Sequence, residues 1–167
     1  MRLTKLQISA AAIGLVLASA ANAQMGGGSM SPSGPAQADA TVPYKNGVAA
    51  LNAGDYPTAI RELRKAYDAN SGEGAIPYAL GLAYTASGKK KEAKQAFQGA
   101  VRTGNAPIPA YLQLALIALE LGERDLATKQ YAALEKKLAG CGAKCGDEAR
   151  AEIKSAMDEL AQKLGTP

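Results

Sequence analysis

Histidine is absent from the 167-residue chain, tryptophan is absent too, and phenylalanine occurs once. Without an imidazole there is no His-based catalytic triad, no imidazole general base, no His-ligated zinc and no covalently attached c-type haem. With aromatic side chains so scarce, a core must be built from Ala, Leu, Ile and the 7 tyrosines. Such a set suits close helix packing better than a β-sandwich. Neither sign of charge dominates: 19 Lys and Arg stand against 15 Asp and Glu. A glycine-rich phosphate loop and a cluster of paired carboxylates are missing as well. No catalytic residue, no metal site and no cofactor is predicted.

The chain opens MRLTKLQISAAAIGLVLASAANAQ, with Arg2 and Lys5, an apolar run from Ile8 to Ala20, and Ala21-Asn22-Ala23. This order of charge, apolar stretch and small-x-small is that of a secretory signal peptide, with cleavage expected after Ala23. The run is short for a bilayer span, and an uncleaved anchor is the alternative. Removing Arg2 and Lys5 takes the basic count from 19 to 17 against 15 acids, a net charge of +2. That is too weak to argue for nucleic acid. A periplasmic location is expected, with no stable membrane span after cleavage. Residues 24–39, QMGGGSMSPSGPAQAD, hold almost no large apolar side chain and are expected to be a flexible linker.

The 2 cysteines, Cys141 and Cys145, lie in Gly-Cys-Gly-Ala-Lys-Cys-Gly. Outside the cytoplasm a pair this close reads as a disulfide closing a small loop. Chain entropy assigns so short a loop about 2 kcal/mol. The alternative is a redox-active pair, although such pairs usually have two intervening residues rather than three.

Between these segments the chain matches itself at a shift of 34 residues. Gly54 falls on Gly88 and Gly122, and Ala59 on Ala93 and Ala127. Leu63 meets Phe97 and Tyr131, Ala66 meets Ala100 and Leu134, and Gly47 meets Gly81 and Ala115. Three units follow without insertion, at 40–73, 74–107 and 108–141. Helices are expected near 43–53, 57–70, 75–87, 90–103, 108–121 and 123–139, with Pro57 in a first turn where its missing N–H costs nothing. The small residues let paired helix axes approach, and Leu63, Phe97 and Tyr131 fill the space one turn on. Beyond the cysteines, Asp147 and Glu148 start a helix favourably for its dipole. Ile153, Ala156, Met157, Leu160 and Leu164 then form one stripe, and Gly165 ends it. The segment 142–167 is therefore the end of the cysteine loop and a helix capping the stack, with a partner-binding amphipathic helix as the alternative.

The period, Gly47, Gly81, Tyr84, the Gly-Asp-Tyr turn at 54–56 and the pairs Ala59–Leu63, Ala93–Phe97 and Ala127–Tyr131 resemble the tetratricopeptide repeat family over residues 40–141. The large residue the family carries early in its first helix is replaced by Pro43 and Pro77, then is Tyr111. The proline closing each unit is replaced by Ser71 and Asn105. The resemblance implies an all-α solenoid of three helical hairpins plus a C-terminal capping helix. It further implies that each unit's first helix lines a concave groove, here Tyr44, Val48, Leu51 and Asn52, then Tyr78, Leu82, Thr85 and Ala86, then Leu112, Leu116, Leu119 and Glu120. The family's carboxylate clamp uses Lys, Asn and Arg at such places, and these residues do not supply it.

A wall of this kind marks a binding surface for a protein or peptide partner in the cell envelope. The expected function is a non-enzymatic periplasmic scaffold or adaptor. The alternatives are a thiol–disulfide redox factor using Cys141 and Cys145, or a self-associating structural protein, a homo-oligomer whose groove is occluded. Cover by the linker or by helix 147–164 would likewise hide the wall. Lys89-Lys90-Lys91 and the run Arg61, Arg64 and Lys65 read as solvated surface.

Overall fold

The computed structural model describes residues 39–142 and 145–165. The expected signal peptide, and the expected linker up to residue 38, lie outside the described residues. Seven helices are present among them: α1 Thr41–Asn52, α2 Tyr56–Ala69, α3 Ala75–Ala86, α4 Lys90–Arg102, α5 Ile108–Glu120, α6 Arg124–Gly140 and α7 Asp147–Leu164. Their order is three antiparallel hairpins, α1/α2, α3/α4 and α5/α6, stacked in sequence and followed by α7.

The turn of each hairpin is set by glycine. Gly54, Gly88 and Gly122 take φ of 76°, 75° and 77°, the left-handed region that costs a side-chain-bearing residue steric strain. Asp55 then caps α2, its carboxylate accepting the Thr58 N–H at 3.1 Å, and Pro57 occupies the first turn where an amide proton would be unpartnered. Hydrogen bonding to Thr58, through its side chain first and its backbone second, holds the Asp55 carboxyl below its ordinary value.

The helix pairs close on small residues. A Cβ at Gly47 would stand 2.6 Å from Leu63 Cγ, and one at Gly81 would stand 2.4 Å from Phe97 Cε1. Ala59, Leu63, Ala66, Ala93, Phe97, Ala100, Ala127 and Leu134 are fully buried, so the 34-residue pattern is a pattern of core contacts. Tyr131 departs from it: it is only half-buried, packed beside Ala127 and Leu160.

The two helices of a unit differ in charge. Helix α3 contains no charged residue, α5 only Glu120, and α1 only Lys45, whereas α2, α4 and α6 carry the rest of the repeat's helical charge. The outer charges also tie units together. Lys90 Nζ lies 3.0 Å from Glu120 Oε2, and Lys94 pairs with Glu123, both across the junction between the second and third units. Within the second unit, Asn105, which stands in the place of the expected closing proline, accepts the Gly74 N–H at 3.0 Å.

Helix α7 packs chiefly on α6 and α5, burying Ile153, Ala156, Leu160 and Leu164. Two arginines fasten it. Arg150 donates to the carbonyls of Cys141 at 3.2 Å and Cys145 at 3.4 Å, and to that of Gly142. At the far end, the Arg124 guanidinium at the start of α6 donates to the Leu164 carbonyl. Carbonyls at helix ends lack intrahelical donors, and each arginine supplies one. Gly165 ends α7 at φ 65°, as its sequence position predicts.

Candidate functional site

Three uncharged or nearly uncharged helices, α1, α3 and α5, supply the wall predicted to bind a partner. Tyr44, Val48 and Leu51 project from α1, Tyr78 and Leu82 from α3, and Leu112 and Leu116 from α5. All seven are half-buried, while Asn52, Thr85 and Glu120 are exposed at their helices' C-terminal ends. The wall is therefore less open than the sequence predicts. Its side chains lean on the core beneath them, and among the described residues the large apolar side chain left most exposed is Val42, at 59%.

The support differs along the wall. Tyr44, Val48 and Leu51 pack against Ala59, Leu63, Leu80 and Ala83. Tyr78 leans on Phe97, ring centroids 6.0 Å apart and planes tilted by 44°. Leu112 packs against groups to which α7 contributes Ile153, Ala156, Leu160 and Leu164. Helix α7 thus backs the third-unit end of the wall and does not lie along its whole length. The expected linker, the other internal candidate for a cover, lies outside the described residues except for Asp39.

Burial pushes the Tyr78 phenol above its ordinary value, and the nearby Glu152 carboxylate adds to the rise. Tyr78 therefore stays neutral at physiological pH and keeps its hydroxyl as donor and acceptor. Thr85 is committed locally, its hydroxyl donating to the Gly81 carbonyl at 2.9 Å. The chemistry available is apolar contact with a few phenolic and carboxylate groups at the edge.

The cysteine pair stands apart from this wall. Cys141 and Cys145 lie close together, with Cα atoms 5.1 Å apart, within the range for disulfides. Cys141 is buried against the α6/α7 junction, beneath the carbonyls that Arg150 grips. No group of three or more His, Cys, Asp or Glu able to hold a metal ion occurs among the described residues, and no helix among them is long and apolar enough to cross a membrane. The lysines at 89–91 are exposed, with Lys90 engaged by Glu120. Arg61 and Lys65 both reach Glu62, at 3.1 and 3.0 Å, and hold its carboxyl below the ordinary value.

Comparison with known proteins places this architecture. Residues 50–114 match the family model described as tetratricopeptide repeat. No curated protein sequence matches the chain. Among solved structures, the first tetratricopeptide domain of Spaghetti (RPAP3), bound to the HSP90 peptide SRMEEVD, superposes with a TM-score of 0.59 at 21% identity, covering 79% of this chain and 100% of that one. The Sgt2 tetratricopeptide domain from Aspergillus fumigatus superposes with a TM-score of 0.58 at 21% identity, covering 84% of this chain and 85% of that one. At such identities the likeness is one of fold: an all-α helical-repeat solenoid.

Proposed function

We propose that this chain is a non-enzymatic adaptor of the cell envelope that binds a protein or peptide partner along the wall formed by α1, α3 and α5. The observation that carries the reading is the repetition of half-buried apolar side chains, Tyr44, Val48, Tyr78, Leu82, Leu112 and Leu116, on successive first helices that hold a single lysine and a single glutamate between them. A solved domain of the same fold is described as bound to a peptide, which supports a binding role. The partner here meets no Lys-Asn-Arg clamp. It presents an apolar stripe, from an amphipathic helix or an extended segment, and its polar groups meet the tyrosine hydroxyls. Export to the periplasm is supported by Arg2, Lys5 and the apolar run before Ala21-Asn22-Ala23. The three residues between Cys141 and Cys145 support a structural role for the pair, against the redox alternative, whose pairs usually have two intervening residues.

Truncating Tyr78 would disturb the core through Phe97, so the cleaner test adds bulk at the exposed edge. Asn52→Arg with Thr85→Arg crowds the wall without removing buried contacts. Periplasmic cross-linking and pull-down should then lose the partner captured by the unsubstituted protein, with helicity and melting temperature unchanged. Equal capture by both forms refutes the assignment.

A further inference from the structure

A second concave feature lies on the other side of α3, between the outer helices of the first two units. The cleft there has a volume of about 350 Å³. Its floor is α3, through Pro77, Leu80 and Tyr84; α2 and α4 form its sides. The cleft exists because of what the repeat omits. At the next junction, 34 residues on, Pro77 is replaced by Tyr111, which is buried with Lys137 Nζ 4.9 Å above its ring centroid. Gly99 is replaced there by Ala133 and Tyr67 by Val101. One junction is plugged by a large ring at the floor; the other has a proline, a glycine and open space.

The lining has a definite chemistry. The half-buried ring of Tyr84 shares the floor with Pro77 and Leu80, and the half-buried ring of Tyr67 stands on the α2 side. Asp68 stands on the α2 side and Glu92 on the α4 side, and neither has an ion-pair partner within 4 Å among the described residues. Arg64 is also on the α2 side, so two carboxylates face one cation and the balance is acidic. Phenol rings accept an alkyl stem and attract a cation over their faces, while carboxylates on opposing walls fix its position.

We propose that this cleft receives a lysine or arginine side chain borne by a partner polypeptide, its alkyl stem against Tyr67 and Tyr84 and its charge between Asp68 and Glu92. The cleft runs open between two parallel helix faces, which suits a side chain arriving on an extended chain. It lies across α3 from the wall assigned above and does not depend on that assignment.

The test is a titration of the ¹⁵N-labelled protein with the capped tripeptide N-acetyl-Gly-Arg-Gly-amide, followed by amide chemical shifts. Saturable shifts are expected for residues 64–68, 78–84 and 92–99, and the Gly-Gln-Gly counterpart should produce none. Asp68→Asn with Glu92→Gln should abolish saturation while far-UV circular dichroism stays unchanged, since both side chains are exposed. Arg64→Ala removes the competing cation and should tighten binding by up to about fivefold, the effect of a like charge in close approach in water. Absence of saturable shifts at these amides, equal shifts from the Gln peptide, or weaker binding by Arg64→Ala would each overturn the proposal. Agmatine binding at least as tightly as the peptide would overturn its polypeptide source.

Discussion

Replacing Gly81 with alanine should destabilise the protein although alanine is the better helix former. The added Cβ would stand 2.4, 2.5 and 2.8 Å from Cε1, Cδ1 and Cζ of Phe97. Non-bonded carbons rest at about 3.5–4.0 Å, so the ring must retreat by about 1 Å. Phe97 has nowhere to go: it is fully buried among Ala93, Leu114 and Ile117, with Tyr78 against it. Overpacking of this kind costs about 1–3 kcal/mol, and the gain in helix propensity returns about 1 kcal/mol. The net loss is up to about 2 kcal/mol, a fall in melting temperature of up to about 8 °C for a domain this size. Thermal melts by far-UV circular dichroism read it directly. The third unit provides a control, because Ala115 already sits at the equivalent position opposite the half-buried Tyr131. Ala115→Gly relieves no clash there and loses about 1 kcal/mol of propensity. Adding Phe97→Leu to Gly81→Ala should recover part of the loss as a favourable coupling energy. A melting temperature for Gly81→Ala at or above that of the unsubstituted protein would refute the claim that helix approach dictates glycine here.

Two further outcomes follow from the same contacts. The Tyr78 phenol titrates above its ordinary value because of burial first and Glu152 second, so the fold favours its neutral form. The associated stability is fully present below about pH 10, the unfolded value, and is lost as pH rises through the raised one. Alkaline melting should therefore fall less steeply in Tyr78→Phe, and absorbance at 295 nm should show Glu152→Gln removing only the smaller part of the shift. Gly99→Ala, by contrast, should raise the melting temperature by a few degrees. Its Cβ would meet Pro77 Cβ at 3.7 Å and the Tyr67 hydroxyl at 3.8 Å, ordinary contacts, leaving a propensity gain of about 0.5–1 kcal/mol. A lowered melting temperature would show that α4 and α3 tolerate no methyl group there.

The fold was legible because its determinants recur. Gly54, Gly88 and Gly122, and the Ala-x-x-x-large pairs after them, are local in sequence and repeated, so the period exposes them. The C-terminal stripe from Ile153 to Leu164 could be read for the same reason. Contacts between distant side chains left no such trace. Nothing in the sequence joins Arg124 to the Leu164 carbonyl or Lys94 to Glu123, because each is a single pairing made only once helices stack. The wall's residues were assigned by family register; their degree of burial was not legible, since that depends on how far each side chain leans toward the next helix. The cleft was half legible. Pro77 and Tyr111 are visible departures from one another, yet a missing volume acquires meaning only when the neighbouring Tyr67 and Gly99 are placed around it.

The segregation of charge between the two helices of each unit makes the molecule chemically separable. Surface charge can be added, removed or reversed on α2, α4 and α6 while the faces of α3 and α5 keep their composition. Solubility and long-range attraction can thus drift, or be engineered, independently of the surface that the first helices present. Ionic strength, for its part, acts mainly on one layer of a two-layer object.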